Sequence, residues 1–180
     1  MISSRDIFGI ERVRTVRRLA ALLLAAPLAA CVLLQGPQLA LGQTEAELVA
    51  QLGAPTGRYA MPNGNQRLEW ATGPFGRHTW MVDLGPDGRS VWFAQVLERS
   101  YLARFAARAQ GMDTQQLLRE LGRPAEKQPN GWGGGQTWSW RYVTNDCLWW
   151  QVSIDKDDKV TGAGEGIDPI CDVNDNRGLF

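Results

Sequence analysis

A chain of 180 residues is long enough for one domain or two small ones. Its 19 basic and 19 acidic side chains balance, yet five arginines fall within the first 30 residues against only Asp6 and Glu11. The remaining 14 basic and 17 acidic residues make a mildly acidic body, which excludes the basic footprint that a nucleic-acid backbone requires.

In chain order, the first element is a targeting segment. The stretch RVRTVRRL precedes the apolar run LAALLLAAPLAA at 19–30. A membrane-spanning helix needs about 20 consecutive apolar residues, and this run is shorter and interrupted by Pro27. A basic start, an apolar middle and small residues at the end describe a secretory signal peptide, residues 1–30, which is set aside from the fold. Its end, LAAC at 28–31, resembles the lipobox of bacterial lipoprotein precursors. That resemblance implies that Cys31 is lipidated and becomes the first residue of the mature protein. Val32, where an aspartate would signal inner-membrane retention, implies the periplasmic face of the outer membrane. Two other readings stay open: cleavage after Gly42, or residues 19–34 kept as an uncleaved anchor. With lipid on Cys31, Cys147 and Cys171 remain. An even pair in an oxidising compartment is expected to form a disulfide, the alternative being two buried free thiols. Neither a CxxC redox motif nor zinc-ligand spacing is present in the sequence, and no metal or cofactor is expected.

Next comes a short helix whose wording returns later in the chain. TEAELVAQLGAP at 44–55 is echoed by DTQQLLRELGRP at 113–124. Thr44 and Asp113 are N-cap candidates, since each side chain can accept a bond from an orphan backbone N–H. Leu48 and Leu52, like Leu117 and Leu121, lie on one helix face. Gly53 and Gly122 suit a helix end, and Pro55 and Pro124 forbid continuation. Downstream, RLEW at 67–70 corresponds to WSWR at 138–141, with Trp70 matched to Trp140. HTWMVDLGPDGR at 78–89 corresponds to LWWQVSIDKDDK at 148–159. Alternation of Trp80, Val82 and Leu84, and of Trp150, Val152 and Ile154, predicts half-buried strands. GPDGR and DKDDK predict the hairpin turns, and a third strand follows each, at 91–97 and 160–167. Between the copies, Tyr101, Leu102, Phe105 and Ala106 stand at helical spacing in RSYLARFAARAQ at 99–110. This predicts the first helix of the second copy, a place held in the first by VLLQGPQLAL at 32–41. The expected fold is α+β: two tandem repeats of short helices packed on a three- to four-stranded antiparallel sheet. Residues 31–98 hold the first repeat with its linker, 99–172 the second, and 173–180 a flexible tail. Helices are expected on one sheet face, with the other partly open.

The Gly…Leu-x-x-x-Leu-Gly-x-Pro pattern, followed by tryptophan-bearing strands and a DGR turn, resembles the SmpA/OmlA/BamE family of small outer-membrane lipoproteins. A tandem of two such units is similar to the β-lactamase inhibitor protein fold. The resemblance covers about residues 42–168, in two copies. It implies a non-catalytic binding or scaffolding protein of the bacterial envelope, with an envelope protein as partner, accessory to outer-membrane assembly or integrity.

The residues offer little catalytic chemistry. A nucleophile–base arrangement would have to use His78, the sole histidine, which sits at a predicted strand start as a structural residue. Asp155 and Asp157 alternate, but Lys159 and Val160 stand where a calcium loop wants an oxygen ligand and a glycine. NGWGGGQTW at 130–138 lacks the Lys-Ser/Thr ending of a phosphate loop. Glu69 and Asp83 are carboxylates available for acid–base work, and nothing sets them above solvated strand-face residues. The expectation is therefore no enzyme. The alternatives are a secreted proteinaceous inhibitor of an enzyme, with cleavage after Gly42, or a carboxylate-based envelope hydrolase. Of the eight tryptophans, Trp80, Trp138, Trp140 and Trp150 follow the inward alternation. Trp149 lies on the opposite face, Met81 near the corresponding row of the first copy, and Trp132 on the glycine-rich loop. These three are the candidate partner-binding residues, since exposed aromatics are enriched at interfaces. The competing reading places Trp149 under the segment 168–171, pinned by the disulfide.

Overall fold

The caps predicted from the sequence begin two of the helices in a computed structural model of the chain, which describes residues 37–131 and 133–171. Helix α1, Glu45–Leu52, starts where the Thr44 hydroxyl accepts the Glu47 N–H, and the Glu47 carboxylate accepts the Thr44 N–H at 2.7 Å. This reciprocal box satisfies two orphan donors at once. Glu45 and Glu47 also place negative charge at the positive end of the helix dipole. Helix α2, Arg99–Ala106, has no side-chain cap and is held by burial of Leu102 and Phe105. In helix α3, Thr114–Leu121, Asp113 and Gln116 repeat the capping box. Helices α1 and α3 each stop at a glycine with positive φ, 79° at Gly53 and 76° at Gly122, a conformation that a Cβ resists.

Two antiparallel four-stranded meanders follow from the strand alternation. The first runs in order through β1 (Gly57–Ala60), β2 (Gln66–Thr72), β3 (His78–Leu84) and β4 (Ser90–Gln95). The second runs through β5 (Glu126–Pro129), β6 (Gln136–Arg141), β7 (Leu148–Ile154) and β8 (Val160–Ile167). A 3₁₀ turn, Pro74–Gly76, joins β2 to β3. The fold class is thus α+β, with two antiparallel four-stranded sheets. The edge strands β1 and β5 add to the three-stranded meanders read from the sequence; each is four residues long, and β5 ends on Pro129.

Corresponding contacts recur in the two halves, taking α1 with β1–β4 as the first and α2, α3 with β5–β8 as the second. Trp70 lies opposite Trp80, and Trp140 opposite Trp150. The Trp70 indole N–H donates to the Gly53 carbonyl at 2.8 Å, and that of Trp140 to the Gly122 carbonyl at 3.2 Å. Each indole thus fills the space under a helix C-terminus and occupies one of its unpaired carbonyls. Gly42 N–H donates to Ser90 O and Gly111 N–H to Val160 O, both at 2.8 Å.

The chain divides into two units, Met1–Gln38 and Leu39–Phe180; only Pro37 and Gln38 of the first are described, and the elements above belong to the second. Within it, Leu48 of α1 packs on Leu68, Trp70, Val82 and Leu84, a small core on one face of the first sheet. Burying such a leucine or valine contributes roughly 1.5–3 kcal/mol each. The larger core gathers Leu102 and Phe105 of α2, Leu117 and Leu121 of α3, and Trp138, Trp140, Trp150 and Val152 of the second sheet. Met81, from the other face of the first sheet, joins this larger core. Helices α2 and α3 therefore lie between the sheets. This corrects the expectation of a partly open face on the first sheet, because the helices of the second half cover it.

Candidate functional site

The covered face of the first sheet is polar where alternation alone would suggest a solvated row. Arg67 and Asp83, cross-strand partners on β2 and β3, form a bidentate pair at 2.5 and 2.8 Å with both side chains buried. Arg67 also donates to the Arg119 carbonyl at the end of α3, at 2.8 Å, and its guanidinium lies 4.5 Å from the Trp92 ring centre. Neighbouring Glu69 is 0% exposed. It accepts the Tyr59 hydroxyl at 2.5 Å and the Arg123 N–H at 3.3 Å. Burial, reinforced by the Glu69 carboxylate, pushes the Tyr59 hydroxyl well above the usual phenol range, so it stays a donor. Gly122 makes this approach possible, since a Cβ there would stand 2.8 Å from the Glu69 carboxyl. The two carboxylates that were open to an acid–base role are thus both engaged, Glu69 with the Arg123 N–H of the second half and Asp83 with Arg67, which itself reaches the Arg119 carbonyl.

A second constellation lies at the far end of the second sheet. The Arg141 guanidinium is held by both oxygens of Asp168, at 2.6 and 2.9 Å. It sits 5.3 Å from the Trp149 ring centre and 5.0 Å from that of Phe75, a cation between two aromatic faces. Burial pushes the Asp168 carboxyl up, but the Arg141 bonds and the Ile170 N–H outweigh it and hold the group below its ordinary value. Asp168 N–H donates to the Cys147 carbonyl at 3.0 Å, and a Cys147–Cys171 disulfide closes the turn that follows. The expected bridge is present.

Between these constellations opens a cleft of about 240 Å³, lined by Ala71, Thr79, Leu97 and Trp140 among others, with Arg123 and Arg141 at its polar margin. Phe75, 57% exposed, also lines it. Phe75 takes φ 58° and ψ 22°, a left-handed conformation that costs a bulky residue of order 1–3 kcal/mol and persists where the surroundings over-determine it. The flanking turn Gly73-Pro74-Phe75-Gly76 has positive φ at both glycines. A second groove, about 450 Å³, is walled by Tyr59, Asp113 and Arg119, and Arg119 is engaged there with the Ala60 carbonyl.

The residues singled out by sequence fall in three places. Trp149 is 1% and Met81 0% exposed, which corrects the reading of these two side chains as partner-binding surface and agrees with the competing reading of a covered Trp149. The row of the second sheet stays open at Ser153 and Gly162. Met81 is covered by the helices of the second half, and Trp149 lies beneath Arg141, itself clamped by Asp168. Trp132 and Cys31 lie outside the described residues, as does the tail 173–180. His78 opens β3 and is exposed. Among the described residues no cluster of three or more His, Cys, Asp or Glu could hold a metal ion. Arg67 and Phe75 went unnoticed in the sequence. The first had a signal in the opposite charges of Arg67 and Asp83 across one hairpin; the second had only an aromatic ring placed inside turn punctuation. Comparison with family models, with curated proteins and with solved structures finds no match.

Proposed function

We propose that the chain is a lipid-anchored binding or scaffolding protein of the bacterial envelope, built as a tandem of two SmpA/OmlA/BamE-like units and accessory to outer-membrane assembly or integrity. The tandem reading is supported by the matched capping boxes, indole–carbonyl bonds and strand registers of the two halves. The observation that carries the binding reading is the engagement of Glu69 and Asp83. Each is buried and spent on a structural partner, whereas a general acid or base must reach the proton it transfers. The anchor rests on LAAC at 28–31.

Acyl chains contribute roughly 0.8 kcal/mol per buried methylene, so two or more hold a protein firmly in a bilayer. Cys31→Ser is expected to remove the acyl mass and to leave an unprocessed or soluble form. Intact mass and membrane fractionation unchanged by the substitution would end the lipoprotein reading. Crosslinking of the native protein in the envelope is expected to capture an envelope protein through the described domain.

A further inference from the structure

We propose that the outer edge of β8 pairs with the same edge of a second copy of the chain, antiparallel about a two-fold axis at Gly164. Strand β8 ends the second sheet and runs for eight residues. Among the described residues, nothing bonds to the backbone of its outer edge beyond Val160, which is held by Gly111 and Met112. A row of free N–H and C=O groups is a template for another strand. The other edges are shorter or guarded. β1 and β5 are four residues each, β1 carrying Arg58 and β5 carrying Lys127 and ending on Pro129. β4 is taken at Ser90 by Gly42 and Gln43 and runs only to Gln95. β8 has no proline, lysine or arginine. Its one charge, Glu165, is spent on Tyr142 and Arg99. Ile167, at 69%, is the most exposed large apolar side chain among the described residues.

The register follows from the ladder. Cys147 and Asp168 continue the β7–β8 register, and the Asp168 N–H donates to the Cys147 carbonyl. Bonded pairs alternate along an antiparallel ladder. Gly162, Gly164 and Gly166 therefore bond to β7, while Ala163, Glu165 and Ile167 turn their backbone groups outward. The free stretch is bounded by Val160 at one end and by the Asp168 turn at the other, and its midpoint is Gly164. A two-fold there sets Ala163 against Glu165 of the second copy, so that outward groups exchange bonds, and lays Thr161 over the exposed Ile167. An axis at Glu165 would place two carboxylates directly opposite, which is unfavourable. An axis at Ala163 would drive Ile167 onto Lys159, beside the blocked Val160. At the axis a non-bonded pair brings the two Cα atoms to about 4.5 Å, the closest approach in such a ladder. Gly162 and Gly164 lack positive φ and have open space where a Cβ would stand, so nothing within the described chain requires them. Bare strand glycines suit a second backbone at close range.

Such pairing goes beyond the proposed binding role and is independent of the lipid anchor and of the envelope partner. The test is oxidative trapping of the full-length protein with copper phenanthroline, which reads even a short-lived pairing. Gly164→Cys meets its own mate at about 4.5 Å, within reach of a disulfide. It is expected to give a covalent dimer at least about tenfold above the unsubstituted chain. In this register Glu165→Cys lies beyond about 7 Å from its mate and Ser153→Cys beyond about 14 Å, so neither is expected to crosslink above that background. Adding Ala163→Pro to Gly164→Cys removes an outward N–H that the fold does not use, and is expected to cut the dimer about tenfold with little change in melting temperature. No dimer from Gly164→Cys, or as much from Glu165→Cys or Ser153→Cys, overturns the proposal whatever the proline variant does. An undiminished dimer in the proline variant overturns it as well. Cys31 acylation and capture of an envelope protein stay as they were in every case, so the two readings fail separately.

Discussion

The same row of the two sheets has opposite fates. In the first half it carries Arg67, Glu69, Met81, Asp83, Trp92 and Ala94; the corresponding register positions of the second half hold Thr137, Ser139, Gln151, Ser153, Gly162 and Gly164. The first row is buried or half-buried under α2 and α3 and contains an ion pair, a buried carboxylate and large side chains. In the second, Ser153 and Gly162 are exposed, Thr137, Gln151 and Gly164 are half-buried, and small polar groups prevail. Two halves with matching hydrogen-bond frames thus differ on the face that each frame leaves free. The frame is set by caps, turns and inward tryptophans, while the free face is set by what comes to lie on it.

The largest effect that would test this contrast is loss of the buried pair. Asp83→Asn strands the Arg67 guanidinium and is expected to cost about 3–5 kcal/mol in urea unfolding. Ser153→Asn, at the corresponding exposed position, is expected to stay within about 0.5 kcal/mol. Equal costs would mean that the two faces are not differently loaded. Next is the disulfide, which staples the second half. With a sequence separation of 24, the chain-entropy model assigns its loss about 3–4 kcal/mol. Thermal melts of Cys171→Ser should show this decrease, and reductant should lower the melting temperature of the unsubstituted protein but not of the variant. The helix stops sharpen the comparison further. Gly53→Ala should cost of order 1–3 kcal/mol for its backbone conformation alone, φ 79° and ψ −168°, because an added Cβ meets nothing within 4 Å. Gly122→Ala meets the Glu69 carboxyl at 2.8 Å and should cost a further 1–3 kcal/mol, about what overpacking costs. Similar losses at both glycines would remove the close approach of the halves as a constraint. The smallest effect belongs to the open row: Gly164→Ala, with free space around its Cβ, should be neutral or stabilising by up to about 1 kcal/mol.

The parts of the fold that were legible in the sequence are those decided within a few residues. Thr44 with Glu47, and Asp113 with Gln116, carry a capping box on their face. The registers of β2–β3 and β6–β7 followed from alternation around short connections. β1 and β5 were missed because four residues without apolar alternation, GRYA and EKQP, beside a glycine-rich or proline-bearing loop have no period to detect. The burial of Met81 was out of reach for another reason: a period of two assigns residues to a face but says nothing of what covers it. The helices that cover this face come from the second half of the chain. Trp149 was correctly placed opposite Trp150, and its cover, Arg141 gripped by Asp168, depends on a turn almost 20 residues further along. The cleft was least visible of all, since it joins Ala71 and Phe75 to Arg123 and Trp140 across both halves.

The position of α2 and α3 between the sheets has a kinetic consequence. The second half encloses its main core with its own helices, whereas the first must wait for those helices before Arg67, Glu69 and Asp83 lose their water. Condensation is therefore expected to start in the part of the chain made last, which then serves as the template for the part made first. Leu117→Ala should slow refolding nearly in proportion to its loss of stability, and Leu48→Ala should act mainly on the unfolding rate. An amino-terminal half released early in synthesis would remain a hydrated, open sheet until its successor arrives, and for that interval it is the segment most exposed to proteases and to chaperones.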